Sequence, residues 1–434
     1  MTILIALAAA VAVAPDPIRL TLDEALAQGL ANSHRLAEAA ARGEAAAAAA
    51  DERHAALLPQ IAAQASYTRT NHIDTFGVLL PTGQLRVIYP DIPDNYRTRL
   101  DLQWPIYTAG RLDALERASR TDAAAASDDL MAARADLRLE ITRAFWALVT
   151  AIESVRVVDQ SVARVDAHLR DVRNQFAAGL VPPNDVSSVE AQRSRQRVLQ
   201  IQARANRDIV EADLARLVGA APGTAIEPVA PPEAPRAESE PRYDLAALVD
   251  TARRQRAERA AVSRRLDAAA ERQQAAAAGN KPVVAIGGGV DYGRPNPRIF
   301  PRQRSWRESW DAGVNVSWSL FDGGRTRAET AGAAATARAL KERLADIDAT
   351  LAVEVRQRVS ELESARAAVS AAADGVRAAA DAQRVVGDRF AAGIATSTDL
   401  LDAQVALLQS ELDRTQAIAN TRLAEARLDR ALGR

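Results

Sequence analysis

Few residues of this 434-residue chain have the type and spacing to do covalent chemistry. There is no Cys, so thiol catalysis, disulfides and cysteine-ligated metals are excluded. The four histidines, His34, His54, His72 and His168, show no paired ligand spacing, and no metal site is expected from them. Gly287-Gly288-Gly289 lacks the spacing and the following helix that cradle a phosphate, and reads as close strand packing instead. No Ser, His and acid grouping stands out, so neither an enzyme nor a cofactor is expected. What stands out is carboxylates placed just after glycine turns. Asp399 and Asp402 are three residues apart and share one face at a helix start, and Asp185 follows an earlier glycine in the same way. The plain reading is that Asp185 and Asp399 cap their helices and that Asp402 is solvated.

The elements that must position these residues come in two copies. Trp104-Pro-Ile-Tyr-Thr-Ala-Gly-Arg111 recurs as Trp318-Ser-Leu-Phe-Asp-Gly-Gly-Arg325, and Phe176-Ala-Ala-Gly179-Leu180 recurs as Phe390-Ala-Ala-Gly393-Ile394. Both pairs keep the 214-residue spacing of Trp104 and Trp318, and a duplication this long implies two equivalent structural units. The first repeat covers residues 18–219 and the second 242–434, with a Pro-rich linker at 220–241. Each repeat opens on a helix, over 21–56 and 243–278. Strand-like stretches follow, in which Leu100, Leu102, Trp104 and Ile106, and then Val314, Val316, Trp318 and Leu320, alternate with mostly polar residues. Long helical patterns run over 111–178 and 325–392, each roughly 100 Å at 1.5 Å per residue. In the first of them Phe145, Leu148, Ile152, Val155, Val158, Val162, Val165, Leu169, Val172 and Phe176 recur at steps of three and four, a coiled-coil seam. The seam of the second is weaker, with Arg366 and Gln383 in its register. Gly179 and Gly393 end the long helices, and shorter return helices begin near Asp185 and Asp399.

Composition sets further bounds. The chain is 48% hydrophobic but only 4% aromatic, which favours close alanine-lined helix packing over a thick core. Its 55 basic and 56 acidic residues are interspersed, which argues against a nucleic-acid partner and for solvated helix faces. Residues 1–14 read as a signal-peptide remnant, and no other apolar run approaches the length of a membrane helix. Any membrane insertion must therefore be by strands. Four strands in one chain are too few to close a transmembrane barrel, so the apolar strand face needs lipid and the strand edges need other chains.

On these twin junction and tip segments the sequence resembles the TolC-like outer-membrane efflux protein family, over essentially everything after residue 20. The resemblance implies an α+β membrane protein, mostly α: a trimeric 12-stranded β-barrel, four strands per chain, continued by a long periplasmic α-helical barrel. It implies a homotrimer in the bacterial outer membrane that extends into the periplasm. There it meets a periplasmic adaptor protein and an inner-membrane pump, in a tripartite efflux or type I secretion system. The rival from another class is a soluble periplasmic coiled-coil adaptor or scaffold, which predicts no lipid-facing strand surface.

The resemblance also assigns roles to residues. Asp399 and Asp402 fall at the family's aspartate constriction, where three chains would present rings of carboxylates able to bind cations. Asp185 matches a member of a polar latch that closes the tip. Where the family pattern has Tyr and Arg as latch partners this chain has Phe390 and Ala395, and Pro182-Pro183 stiffens the turn. Gly179, Leu180, Gly393 and Ile394 match the tip motif that meets the adaptor, and equally fit a glycine cap with an apolar cover. Leu102, Trp104, Val316 and Trp318 are the expected lipid-facing residues.

Overall fold

The computed structural model describes residues 17–230 and 243–434. The signal-peptide reading of residues 1–14 and the later part of the Pro-rich linker lie outside the described residues. In the first half the elements are β1 (Ile18–Leu20), α1 (Leu22–Asn32), α2 (His34–Ala55), β2 (Gln60–Arg69), β3 (Phe76–Leu79), β4 (Leu85–Tyr89), β5 (Asp94–Tyr107), α3 (Arg111–Ala177) and α4 (Pro183–Val218). After β6 (Ile226–Pro228) come α5 (Leu245–Gln255), α6 (Ala257–Ala277), β7 (Val283–Arg294), β8 (Arg307–Ser317), α7 (Arg325–Ala391) and α8 (Ser397–Leu432). The long helices α3 and α7 have 67 residues each, and the return helices α4 and α8 have 36 each. No helix among the described residues is long and apolar enough to cross a membrane.

The chain divides into two compact units, the first formed by the described parts of Met1–Ala39, Asp129–Arg259 and Asp346–Arg434. Its largest core packs Leu20, Leu26 and Leu36 against Leu137, Ile141, Phe145 and Leu148 of α3 and Leu214, Leu217 and Val218 of α4. A second core joins Val355, Val359 and Leu362 of α7 to Ala424, Leu428 and Leu432 of α8. The α3 seam is buried at Phe145, Leu148, Val158, Val162, Val165, Leu169 and Val172, while Ile152 and Phe176 are exposed and Val157 is buried beside the seam. Arg366 sits in the α7 seam because its guanidinium donates to the Tyr243 hydroxyl at 3.0 Å and to Glu425 at 3.3 Å.

The opening helix of each half is broken where one continuous helix is expected. Ser33 and Arg256 take extended backbone between α1 and α2 and between α5 and α6. The reason is the end of each return helix. Gly219 and Gly433 close α4 and α8 in the left-handed region, with φ of 76° and 83°. A Cβ on Gly219 would meet Asn32 at 2.7 Å, and one on Gly433 would meet the Gln255 main chain at 2.7 Å. At the breaks, Asn32 Nδ2 donates to the Val218 carbonyl at 2.9 Å and Arg256 Nη1 to the Arg430 carbonyl at 3.0 Å. Orphan carbonyls that end a helix are thus satisfied by side chains at the break.

The second unit, Ala40–Asp128 with Ala260–Ala345, holds a four-stranded sheet in the order β2-β5-β7-β8. Every neighbouring pair is antiparallel. The register places Leu100 beside Ala63 and Val290, Leu102 beside Ile61 and Gly288, and Ala312 beside Gly288. With the period-two pleat, Ile61, Tyr96, Leu100, Leu102, Trp104, Val290, Trp310, Val314 and Val316 therefore share one face. Arg97, Arg99, Asp101, Gln103, Asp291, Asp311 and Asn315 share the other. Trp318, expected in the strand, lies one residue beyond β8, because the ladder with β7 ends at Val283 and Ser317. A small hairpin, β3-β4, lies between β2 and β5 and turns at Gly83, whose φ is 78°.

Candidate functional site

The return helices start in two different ways. At α8, Thr396 is the N-cap and Asp399 the third helical residue, and the two close a capping box. The Asp399 N–H donates to Thr396 Oγ1 at 3.2 Å, while Asp399 Oδ2 accepts from Thr396 N at 2.9 Å and from Oγ1 at 2.7 Å. The main-chain N–H and then the hydroxyl of Thr396 hold the Asp399 carboxyl below the usual carboxylate range. At α4 the N-cap is Pro182, which has no N–H to donate, so the same box cannot form. Asp185 is therefore not the N-cap it is expected to be. It stands in the first turn and accepts a hydrogen bond from Asn184 Nδ2 at 3.1 Å. Asp402, one turn further along α8 than Asp399, is exposed and has no hydrogen bond or ion pair with any described residue.

Gly179 and Gly393 end the long helices with φ of 71° and 74°. Leu180 N donates to the Gln175 carbonyl and Ile394 N to the Arg389 carbonyl, at 2.9 and 2.8 Å, which closes a Schellman turn at each. The apolar residue after each glycine is not a cover: Leu180 is 74% exposed and Ile394 68%. Each tip turn thus presents a bare apolar side chain.

Behind these turns Val165, Leu169, Val172, Val189 and Leu401 form a core with Phe390 packed against it. Full burial of such side chains is worth roughly 1.5–3 kcal/mol each. One polar group is held within this layer. His168 is buried, and its Nε2 shares a 2.9 Å hydrogen bond with Ser397 Oγ at the start of α8. The Phe390 ring meets it edge-on, with centroids 5.0 Å apart. Burial pushes the His168 imidazole down, with Asp171 opposing, and its Nδ1 has no partner among the described residues. Sequence reasoning missed this contact because the two residues are 229 apart.

In the sheet, Asp291 is fully buried on the polar face between arginines. It accepts from Arg97 Nε at 2.6 Å and from Arg99 Nη1, and Arg99 Nη1 also donates to Asp311 at 2.9 Å. The triple glycine makes room for this: a Cβ on Gly289 would lie 2.7 Å from Arg99 Nη2. The opposite face is bare, with Trp310 at 76% and Val314 at 66% exposure. At the helix-bearing margin the two tryptophans are anchored alike, Trp104 Nε1 donating to the Leu57 carbonyl at 3.1 Å and Trp318 Nε1 to the Asn280 carbonyl at 2.9 Å. Among the described residues no group of His and acidic side chains could hold a metal ion.

Comparison with known proteins agrees with this arrangement. The chain matches the family described as Outer membrane efflux protein over residues 25–220 and 248–434. It is 27% identical over 305 residues to the protein CyaE of Bordetella pertussis, covering 70% of this chain and 63% of that one. It is 24% identical over 417 residues to the outer membrane protein TolC of Vibrio cholerae, covering 95% and 90%. Among solved structures, the outer membrane protein VceC of Vibrio cholerae superposes with a TM-score of 0.80 at 22% identity, over 95% of this chain and 96% of that one.

Proposed function

The chain belongs to the outer membrane efflux protein family, and from that premise we propose that it is the exit channel of a tripartite efflux or type I secretion system. In this reading three copies assemble in the outer membrane, the strands forming one barrel and the helices reaching into the periplasm. The observation that carries it is the sheet: one exposed apolar face, one polar face, and two unpaired edges. Because the four strands alternate in direction, edge strands β2 and β8 run oppositely, so β8 of one copy can pair with β2 of the next without breaking the antiparallel order. Two copies would make an eight-stranded ring, whose interior is filled by side chains or holds one small ligand. Three copies, with twelve strands, match the trimer that the family resemblance implies and leave a wider passage.

Within that ring the polar face carrying Arg97, Arg99, Asp101, Asp291 and Asp311 lines the lumen, and Leu102, Trp104 and Val316 face lipid, with Trp318 at the margin. The tip carries the contacts with other proteins. Bare Leu180 and Ile394 beside Gly179 and Gly393 are suited to an adaptor's apolar side chains. Asp402 and Asp399 are assigned to the constriction, Asp402 as the freer carboxylate and Asp399 through the oxygen that Thr396 leaves open. Asp185 is assigned to the gate region without the Tyr and Arg partners of the family pattern, Phe390 being packed on His168 instead. The pump supplies the energy, and this chain carries out no catalysis.

The experiment is to extract the protein in detergent, measure its mass, and reconstitute it in planar bilayers. A trimer that conducts ions is the expected result. A monomer stable without detergent overturns the reading and favours the soluble scaffold.

A further inference from the structure

The connection between β7 and β8, residues 295–306, lies at the strand ends remote from the helices and folds back over the sheet. Asn296 is 2% exposed, its Nδ2 donating to the Arg307 carbonyl at 3.0 Å and to Ser309 Oγ at 2.9 Å. Its Oδ1 accepts from Arg298 N at 2.9 Å. The turn so fixed lays the Arg298 guanidinium on the polar face, 2.7 Å from Asp311 and 3.9 Å from Asp291. Further along, Arg304 donates to the Asp91 carbonyl at 2.6 Å and Arg302 lies 5.1 Å over the Tyr89 ring, which ties this connection to the one before β5. Trp306 stacks on Tyr292 at 5.1 Å, on the apolar face. The segment therefore straddles the strand ends, with Arg298 on one face and Trp306 on the other.

Arg298 is not needed to hold the wall. The β5-β7 and β7-β8 ladders run unaided to Arg294 and Arg307, and Asp291 already has Arg97 and Arg99. Asn296 pins the base of the segment, Arg302 and Arg304 tie it to the connection before β5, and the Arg298 ion pairs are the contacts that hold it down on the polar face. We propose that residues 295–306 form a flap latched over the outer mouth by Arg298 on Asp311 and Asp291, and that this latch controls access of solutes from outside to the lumen. The proposal rests on the reading above that the polar face lines the lumen. Three flaps, one per copy, then ring the exit, and substrate leaving the channel has to displace them.

The absence of cysteine permits a direct test. Asn315→Cys puts one thiol on the polar face, on the helix side of Asp311, and intact cells are treated with a maleimide too bulky for general porins. With the native flap, labelling is slow. Arg298→Ala and Arg298→Gln, which leave the Arg99–Asp311 pair in place, each raise the rate by about tenfold, the factor for losing one charge-assisted hydrogen bond from a closing equilibrium. Arg298→Lys, which keeps the charge, falls between. Equal rates in all four backgrounds at equal trimer yield overturn the flap. If Arg298→Ala does not assemble, the Arg298→Gln rate alone decides in the same way. Ala312→Cys, on the apolar face, separates the two claims: combined with Arg298→Ala it stays slow, and an acceleration equal to that of Asn315→Cys removes the face assignment itself.

Discussion

Arginine scanning along β8 tests which face meets lipid and at what depth. The strand has 11 residues. At about 3.4 Å per residue it is roughly 37 Å long, and a tilt of about 40° reduces this to roughly 28 Å of height, close to the ~25 Å apolar band of an outer-membrane barrel. Ala312 is its middle residue. Val316, four residues nearer the helices, lies about 10 Å lower, near the band edge. An arginine at mid-band costs about 2–4 kcal/mol and one near the interface about 0–1 kcal/mol. Ala312→Arg should then cost roughly 6–12 kcal/mol summed over a ring of three copies, and Val316→Arg at most about 3 kcal/mol. Asn315→Arg, on the polar face, should be tolerated. The assay is folded trimer recovered from outer membranes at matched expression, followed by urea titration of reconstituted protein. Near-complete loss for Ala312→Arg, partial loss for Val316→Arg and normal yield for Asn315→Arg is the expected order. Equal yields for Ala312→Arg and Asn315→Arg would refute the two-faced wall, and equal losses for Ala312→Arg and Val316→Arg would refute the depth.

Two predictions concern the tip. Replacing Asp399 and Asp402 together by Ala should lower both cation preference and polyvalent-cation block in single-channel recordings, with salt screening the effect. Asp185→Ala should change conductance much less, and unchanged selectivity in the double variant would leave Asp399 and Asp402 as an ordinary cap and a solvated residue. The second prediction follows from His168, whose folded-state pKa lies below the ordinary 6.5 because of burial, with Asp171 opposing. A depressed value means the neutral imidazole is favoured in the fold, so its stabilising contribution is present above 6.5 and is lost as pH falls through the folded value. Amide protection factors around residues 165–172, taken against the intrinsic exchange rate at each pH, should fall on acidification from pH 7 to 5, and His168→Gln should flatten that response; an equal response in the variant would remove His168 as the cause.

Much of the architecture was legible because it is local and periodic. The alternation through Leu100, Leu102 and Trp104, the twin tip glycines and the seam of α3 each write their element into a short window. The misses have a common character. The breaks at Ser33 and Arg256 carry no proline or glycine; they are imposed by the ends of α4 and α8, about 186 and 174 residues away along the chain, through Asn32 and Arg256. The β3-β4 hairpin, absent from the expected elements, carries its signal in Pro81-Thr82-Gly83. At the candidate site, the difference between Asp185 and Asp399 was present in the sequence as Pro182 against Thr396, and it needed only the question of which cap can donate. The His168–Ser397 bond and the Arg298 latch join residues that no spacing rule connects.

The opposed, unpaired edges of the sheet bear on how the protein comes into being. Each edge strand offers a row of main-chain donors and acceptors that lipid cannot satisfy, so a lone chain has no inserted state of low energy. Insertion and association then become one event. For a ring of three copies the amount of channel at equilibrium rises with the cube of the free-chain concentration, so halving the free chain would leave about one-eighth of the channel. Expression level would act on channel number as a threshold rather than a dial, and chains below that threshold would stay in the periplasm with an apolar face for chaperones to cover and proteases to find.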